Sequence, residues 1–128
     1  MKKTSLLIAC LVAASQTYAA DYSRVEVCKA TISVEMGRDS ETMKTEQGGN
    51  MPVISYVRDD DLQEFTYRCK FNANQVIWAA YFDEEGGWGR WRDSADFGDA
   101  VTYFEVSGTS LLIKNDQLGT KTFSGSDF

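Results

Sequence analysis

Two cysteines, Cys28 and Cys69, constrain this fold more than any other feature of the sequence. The third cysteine, Cys10, lies in an N-terminal segment with the character of a secretory leader, so an even pair remains in an oxidising compartment. Cysteines so far apart in sequence are typical of a structural disulfide rather than a catalytic dithiol. We therefore predict a Cys28–Cys69 bridge, which closes a loop of about 40 residues and stabilises the domain by roughly 4 kcal/mol.

The leader has the three parts of a signal peptide. Lys2 and Lys3 supply positive charge, and residues 6–14 are apolar but too few to span a bilayer. Small residues stand at positions −3 and −1 in the tripeptide at 17–19. We predict cleavage after Ala19 and a periplasmic or secreted protein, with no membrane insertion after cleavage.

An alternative interpretation treats residues 7–10 as a lipoprotein box with Cys10 as the lipidated N-terminus. It leaves only residues 5–9 as the hydrophobic region, whereas a signal needs roughly 7 to 15 residues. Cleavage after Ala19 is therefore the favoured prediction, and residues 20–128 form a single domain.

Composition excludes several classes of function. The chain contains no histidine, which removes Ser-His-Asp triads, Cys-His pairs and His-ligated metal sites. Cleavage of the leader leaves 11 basic and 19 acidic residues, a net charge of −8. Nucleic acids and anionic membranes need clustered Lys and Arg, so neither is expected as a partner. No nucleophile motif stands out either, and we expect no enzyme activity, no cofactor and no metal.

One helix is predicted near the mature N-terminus. Ser23 and Glu26 have the spacing of a capping box, and Gly37 is suited to end the helix. We place the helix at residues 24–36. Its expected buried face is formed by Val25, Cys28, Ile32 and Met36.

The rest of the chain alternates as strands do. The predicted strands cover residues 53–58, 65–71, 76–82, 88–92, 101–106, 111–115 and 120–124. Turn residues recur every eight to twelve positions or so, which is typical of an antiparallel meander. The polar run at 38–50, which contains Gly48 and Gly49, is expected to be a mobile loop.

These elements predict an α+β fold. In it, one N-terminal amphipathic helix packs on an antiparallel meander sheet of about six strands, linked to it by the disulfide. Several strands are apolar on both faces, so the alternative is a curled sheet or small β-barrel that wraps around the helix or around a ligand cavity.

Six short segments form a recognisable pattern, namely residues 28–32, 36–39, 53–56, 67–70, 76–79 and 89–92. This pattern resembles that of a family of small exported bacterial proteins of unknown function. The resemblance implies an exported single domain with paired cysteines. It implies no activity, because the family has none assigned.

The candidate interaction surface is a short run rich in tryptophan and arginine. It comprises Trp88, Arg90, Trp91 and Arg92, preceded by Gly86 and Gly87. Trp and Arg are enriched at binding hot spots, and indole rings stack on sugars. Strand alternation would put Trp88, Arg90 and Arg92 on one face and Trp91 on the other. The alternative is that one tryptophan packs in the core and both arginines pair with nearby acids.

Two functions fit these observations. The first is a non-enzymatic binding or inhibitor-like module of the bacterial cell envelope, with a protein or glycan partner. The second is a small-ligand carrier with a cavity between sheet and helix. A cavity of roughly 300 Å³ or more, with polar groups that converge on it, would favour the carrier.

Overall fold

The computed structural model describes residues 21–128. The predicted signal peptide, its cleavage site and Cys10 lie outside the described residues. Within residues 21–128, no helix has the length and apolar character needed to cross a membrane.

The predicted helix is confirmed as α1, Arg24–Met36. The Ser23 hydroxyl accepts a hydrogen bond from the Glu26 amide, and the Glu26 carboxylate accepts one from the Ser23 amide. This reciprocal pair satisfies two amides that the first turn leaves without helical partners. Gly37 ends the helix in the left-handed region at φ 64°.

Within residues 21–128, eight antiparallel strands form the sheet. They are β1 Lys44–Gln47, β2 Val53–Val57, β3 Glu64–Asn72, β4 Gln75–Phe82, β5 Gly87–Trp88, β6 Thr102–Ser107, β7 Ser110–Asn115 and β8 Gly119–Phe123. The strand order is β1-β2-β3-β4-β6-β7-β8, with β5 paired to the far half of β4. The prediction of about six strands was too low, since the polar β1 and the paired β5 add to the sheet. The sheet curls into a half-barrel, so the predicted α+β class is confirmed together with its curled-sheet alternative.

The helix lies inside the curl and contacts β2, β3, β4 and β7. Its middle is buried on several sides, so the expectation of a single buried face is wrong. The buried residues are Val27, Cys28, Ala30, Thr31, Ile32 and Ser33. Polar members fit because their hydroxyls are satisfied locally: Thr31 donates to the Val27 carbonyl and Ser33 to the Arg38 carbonyl.

The disulfide joins helix and sheet at the centre of the core. Cys28 on α1 and Cys69 on β3 are bonded, with 5.8 Å between their Cα atoms. Both residues are fully buried. Around them pack aliphatic side chains from β2 and β7, namely Ile54, Leu111 and Ile113. The predicted bridge is therefore confirmed.

Two local predictions are wrong. Residues 38–50 are not a plain loop, because they contain a 3-10 turn at Ser40–Thr42 and strand β1, which pairs with β2. Met43 is buried and anchors this segment. The predicted strand at 88–92 shortens to β5, and the chain beyond it runs irregularly beside β4.

Candidate functional site

A cleft of about 380 Å³ opens on the concave side of the sheet, near the C-terminal end of α1. Strands β3 and β4 and the turn after β4 form most of its lining. The lining residues are Met36, Gln63, Glu64, Phe65, Thr66, Tyr67, Trp78, Ala80, Tyr81, Phe82, Asp83, Glu84, Glu85 and Arg92.

Aromatic side chains form the walls because they alternate onto the concave face. Phe65 and Tyr67 come from β3, and Trp78 and Phe82 from β4. The Tyr67 and Trp78 rings meet edge to face with centroids 5.7 Å apart. Ala80 is the cross-strand neighbour of Tyr67, and its small side chain leaves space between the rings. The walls are therefore apolar and well fixed.

Arg92 supplies a cation at one end of the cleft. Its backbone amide donates to the Trp78 carbonyl at 2.8 Å, and its guanidinium lies 5.0 Å from the Trp78 ring centroid. No carboxylate oxygen of residues 21–128 lies within 4.0 Å of its side-chain nitrogens. Its Nε is buried and has no hydrogen-bond partner in the same range. The Arg92 guanidinium therefore has no anionic partner among the described residues.

Glu35, in the last turn of α1, is an acid that interacts electrostatically with Arg92, and its carboxylate already has a hydrogen-bond partner. It accepts a hydrogen bond from the Asn115 side-chain amide at 3.0 Å. Burial raises the pKa of Glu35 above its ordinary value, and the hydrogen bond from Asn115 only partly opposes that shift.

Carboxylates gather at the other end of the cleft. Asp83, Glu84 and Glu85 form a 3-10 turn directly after β4 and are exposed. Glu64, at the start of β3, also lines the cleft, and its carboxylate lies 3.7 Å from the Lys44 ammonium. From Trp78, beside Arg92, to Phe82 is four residues, about 13 Å along a strand. The cleft is therefore positive at one end and negative at the other.

Two tyrosine hydroxyls meet near the cleft. The Tyr56 and Tyr67 hydroxyl oxygens are 3.5 Å apart. Burial, followed by this contact, raises the pKa of Tyr67 far above its ordinary value. Tyr67 therefore offers a hydroxyl for hydrogen bonding and not a phenolate nucleophile.

Of the predicted interaction residues, Trp88 and Trp91 lie on the convex face. The Arg68 guanidinium lies 4.6 Å from the Trp88 ring centroid and 4.5 Å from that of Trp91. The Lys70 ammonium lies 4.4 Å from the Trp91 centroid. We call these four side chains the cation–π ladder. It lies over the buried Ile77 and Ala79, which are the cross-strand neighbours of Lys70 and Arg68.

Arg90 is not a member of the cation–π ladder. Its guanidinium binds both Asp99 oxygens, at 2.6 and 3.0 Å, and lies over the Phe97 ring. This ion pair lowers the pKa of Asp99, as does the Ser94 amide that donates to the same carboxylate. Arg90 thus pairs with an acid, as the alternative interpretation of this run predicted.

The expected common face for Trp88, Arg90 and Arg92 is wrong. Trp88 contacts Arg68 on the convex side, whereas Arg92 contacts Trp78 on the concave side. Regular alternation ends with β5, so the period of two no longer applies to Arg90 and Arg92. Only Arg92 of the predicted four lines the cleft.

The aromatic walls and the acidic end were missed as site residues in the sequence. Phe65, Tyr67, Trp78 and Phe82 alternate correctly, but alternation does not distinguish core from cleft. One signal was present: Ala80 interrupts a run of large apolar residues in β4.

Comparison of the chain with protein-family models, with curated proteins and with solved structures finds no match. The resemblance to small exported bacterial proteins therefore stays a prediction. Within residues 21–128, no three Cys, Asp or Glu side chains are grouped so as to hold a metal ion.

Proposed function

We propose that the protein is an exported, non-enzymatic binding module of the bacterial cell envelope, and that it holds a small ligand in the cleft between sheet and helix. The observation that carries this proposal is the cleft of about 380 Å³ with Arg92 at one end. Its volume falls within the range of small-molecule sites, roughly 300–1,000 Å³. The small-ligand carrier is thus favoured over a protein-binding module.

The chemistry of the cleft supports binding rather than catalysis. Phe65, Trp78 and Phe82 offer ring faces to an apolar group, while Arg92 and the Tyr67 hydroxyl offer polar contacts. A few polar groups among apolar walls are the usual composition of a ligand site. Tyr67 is neutral and Glu35 is hydrogen-bonded, so neither supports a nucleophile with its base.

The experiment is fluorescence titration with N-phenyl-1-naphthylamine, an apolar dye that brightens when it leaves water. We expect saturable binding to the mature domain. Ala80→Phe places a ring in the cleft and should weaken dye binding about tenfold or more. Thr120→Phe, on the exposed surface of β8, is the matched control and should bind dye as the parent does. Equal binding by both variants would remove the cleft as the site.

A protein or glycan partner on the convex face is the second candidate. Trp88 remains partly exposed and packs edge to face with the exposed Tyr81, at 5.3 Å between centroids. Such rings can stack on a sugar or anchor an interface. The predicted surface at Trp88, Arg90, Trp91 and Arg92 would then act through its tryptophans.

A further inference from the structure

The two ends of the cleft carry opposite charge, and this polarity restricts the ligand further than its volume does. Arg92 stands beside Trp78, and the acidic turn Asp83–Glu85 follows Phe82. The strand between them spans about 13 Å. A ligand charged at one end only would leave the charge at the other end of the cleft without a counterpart. A dipolar ligand of that length places an opposite charge at both ends.

The Arg92 end is suited to a carboxylate. A guanidinium presents a planar fork of donors that fits both oxygens of a carboxylate. In residues 21–128 no acidic side chain forms an ion pair with Arg92, and Glu35 accepts a hydrogen bond from Asn115 instead. The partly buried position beside the Trp78 ring strengthens such an ion pair relative to one in water.

The acidic end is suited to a cation. Lys44 lies 3.7 Å from Glu64, which compensates that carboxylate in part. Asp83, Glu84 and Glu85 have no basic side chain of residues 21–128 within 4.0 Å. Three uncompensated carboxylates in one turn create a negative potential at this end of the cleft.

An extended peptide has the spacing that the cleft requires. At about 3.3 Å per residue, four residues cover the distance between the two ends. We propose that the cleft binds a short peptide in extended form, with its free α-carboxylate on Arg92, an aromatic last side chain among the cleft rings and a cationic group at Asp83–Glu85. This inference rests on the proposed function and names the ligand class of the same site.

The test uses the mature domain and four synthetic peptides in isothermal titration. The first is Lys-Gly-Gly-Phe with a free carboxylate, and the second is the same peptide as its C-terminal amide. The third and fourth are the acid and the amide of Glu-Gly-Gly-Phe. We expect the free acid to bind about tenfold more tightly than the amide, as loss of a charge-assisted contact predicts. We expect the Lys peptides to bind more tightly than the Glu peptides.

Variants assign each preference to one end of the cleft. Arg92→Gln should abolish the difference between acid and amide while it keeps the preference for Lys. Asp83→Asn with Glu84→Gln and Glu85→Gln should abolish the preference for Lys and keep the difference between acid and amide. Arg24→Gln, an exposed change at the start of α1, should alter neither. Near-UV circular dichroism establishes that each variant is folded before titration.

Failure of this inference is distinguishable from failure of the proposed function. If the dye binds in the cleft but acid and amide peptides bind equally, the dipolar ligand is wrong and the binding module stands. If folded Arg92→Gln protein still binds the free-acid peptide more tightly than the amide, the assignment of the peptide carboxylate to Arg92 is wrong. If the dye does not bind the cleft, the proposed function itself falls.

Discussion

Glu35 is a partly buried carboxyl group whose charge state should contribute to the pH dependence of stability. Burial raises its pKa in the folded protein above the 4.5 of a free side chain. Between pH 4.5 and the raised pKa of Glu35, the folded protein therefore binds more protons than the unfolded chain. The free energy of unfolding consequently falls as pH rises through this range. Glu35→Gln removes the ionisation and keeps an oxygen that can accept from Asn115.

We expect the stability of Glu35→Gln relative to the parent to increase as pH rises from about 4.5 to 7. Urea unfolding at several pH values measures this difference. Glu41→Gln, at an exposed position, is the control and should follow the parent. Parallel curves for the parent and Glu35→Gln would contradict the prediction.

Cys28 and Cys69 give the second prediction at the residue scale. Replacing both by serine removes a bridge across 41 positions, which corresponds to roughly 4 kcal/mol in the chain-entropy model. The two hydroxyls would also be fully buried in an apolar core. We expect the melting temperature to fall by more than about 10 °C, since 1 kcal/mol shifts a domain of this size by about 4 to 8 °C. A smaller fall in calorimetry would refute the argument.

Single residues were predictable where their signal is local. Ser23, Glu26 and Gly37 fix the ends of α1 through contacts within a few positions, so the helix bounds of 24–36 agree with the structure. The directions of Trp91 and Arg92 were not predictable in this way. They depend on where β5 stops and on how the following segment lies against β4, which is a tertiary property.

At the scale of elements, Gly89 allows the segment after β5 to lie close to β4. Its amide donates to the Ala80 carbonyl at 2.8 Å. A Cβ atom at this position would come within 2.5 Å of the Phe82 ring. Because that ring is 37% exposed and can rotate, Gly89→Ala should displace it rather than break the strand pairing.

We therefore expect Gly89→Ala to weaken dye binding several-fold, since Phe82 lines the cleft, and to cost no more than about 1–3 kcal/mol of stability. Gly87→Ala is the matched control, because nothing lies within 4 Å of its added Cβ atom. Dye titration and thermal unfolding of both variants measure the effect. Equal dye affinity in the two variants would show that Phe82 does not shape the cleft.

Strand β1 shows why some elements escape sequence analysis. All four of its side chains are exposed, so the sequence Lys-Thr-Glu-Gln has no apolar alternation. Its strand conformation comes from backbone pairing with β2 and from the buried Met43 just before it. Strands β3 and β4, which bury alternate residues, were located to within about two residues.

At the scale of the whole molecule, the curl of the sheet creates both the core and the cleft. The sheet contacts α1 through β2, β3, β4 and β7, so the helix fills much of the concave side. The space near Met36, where α1 ends, is left to the cleft. The sequence predicted a helix on a sheet and the curled alternative. It could not choose between them, because curvature depends on how strands far apart in sequence pack around one helix.

The last prediction separates the two faces of the sheet. Trp88→Ala with Trp91→Ala removes two half-buried indoles that cover Ile77 and Ala79, so loss of buried apolar area should lower the melting temperature by several degrees. Dye affinity should persist, because neither tryptophan lines the cleft.

Phe82→Ala should do the opposite: it removes a partly exposed ring with a smaller effect on stability, and it should weaken dye binding about tenfold. If the tryptophan variant instead loses dye binding at unchanged melting temperature, the convex face is the binding surface and the predicted Trp88, Arg90, Trp91 and Arg92 site replaces the cleft.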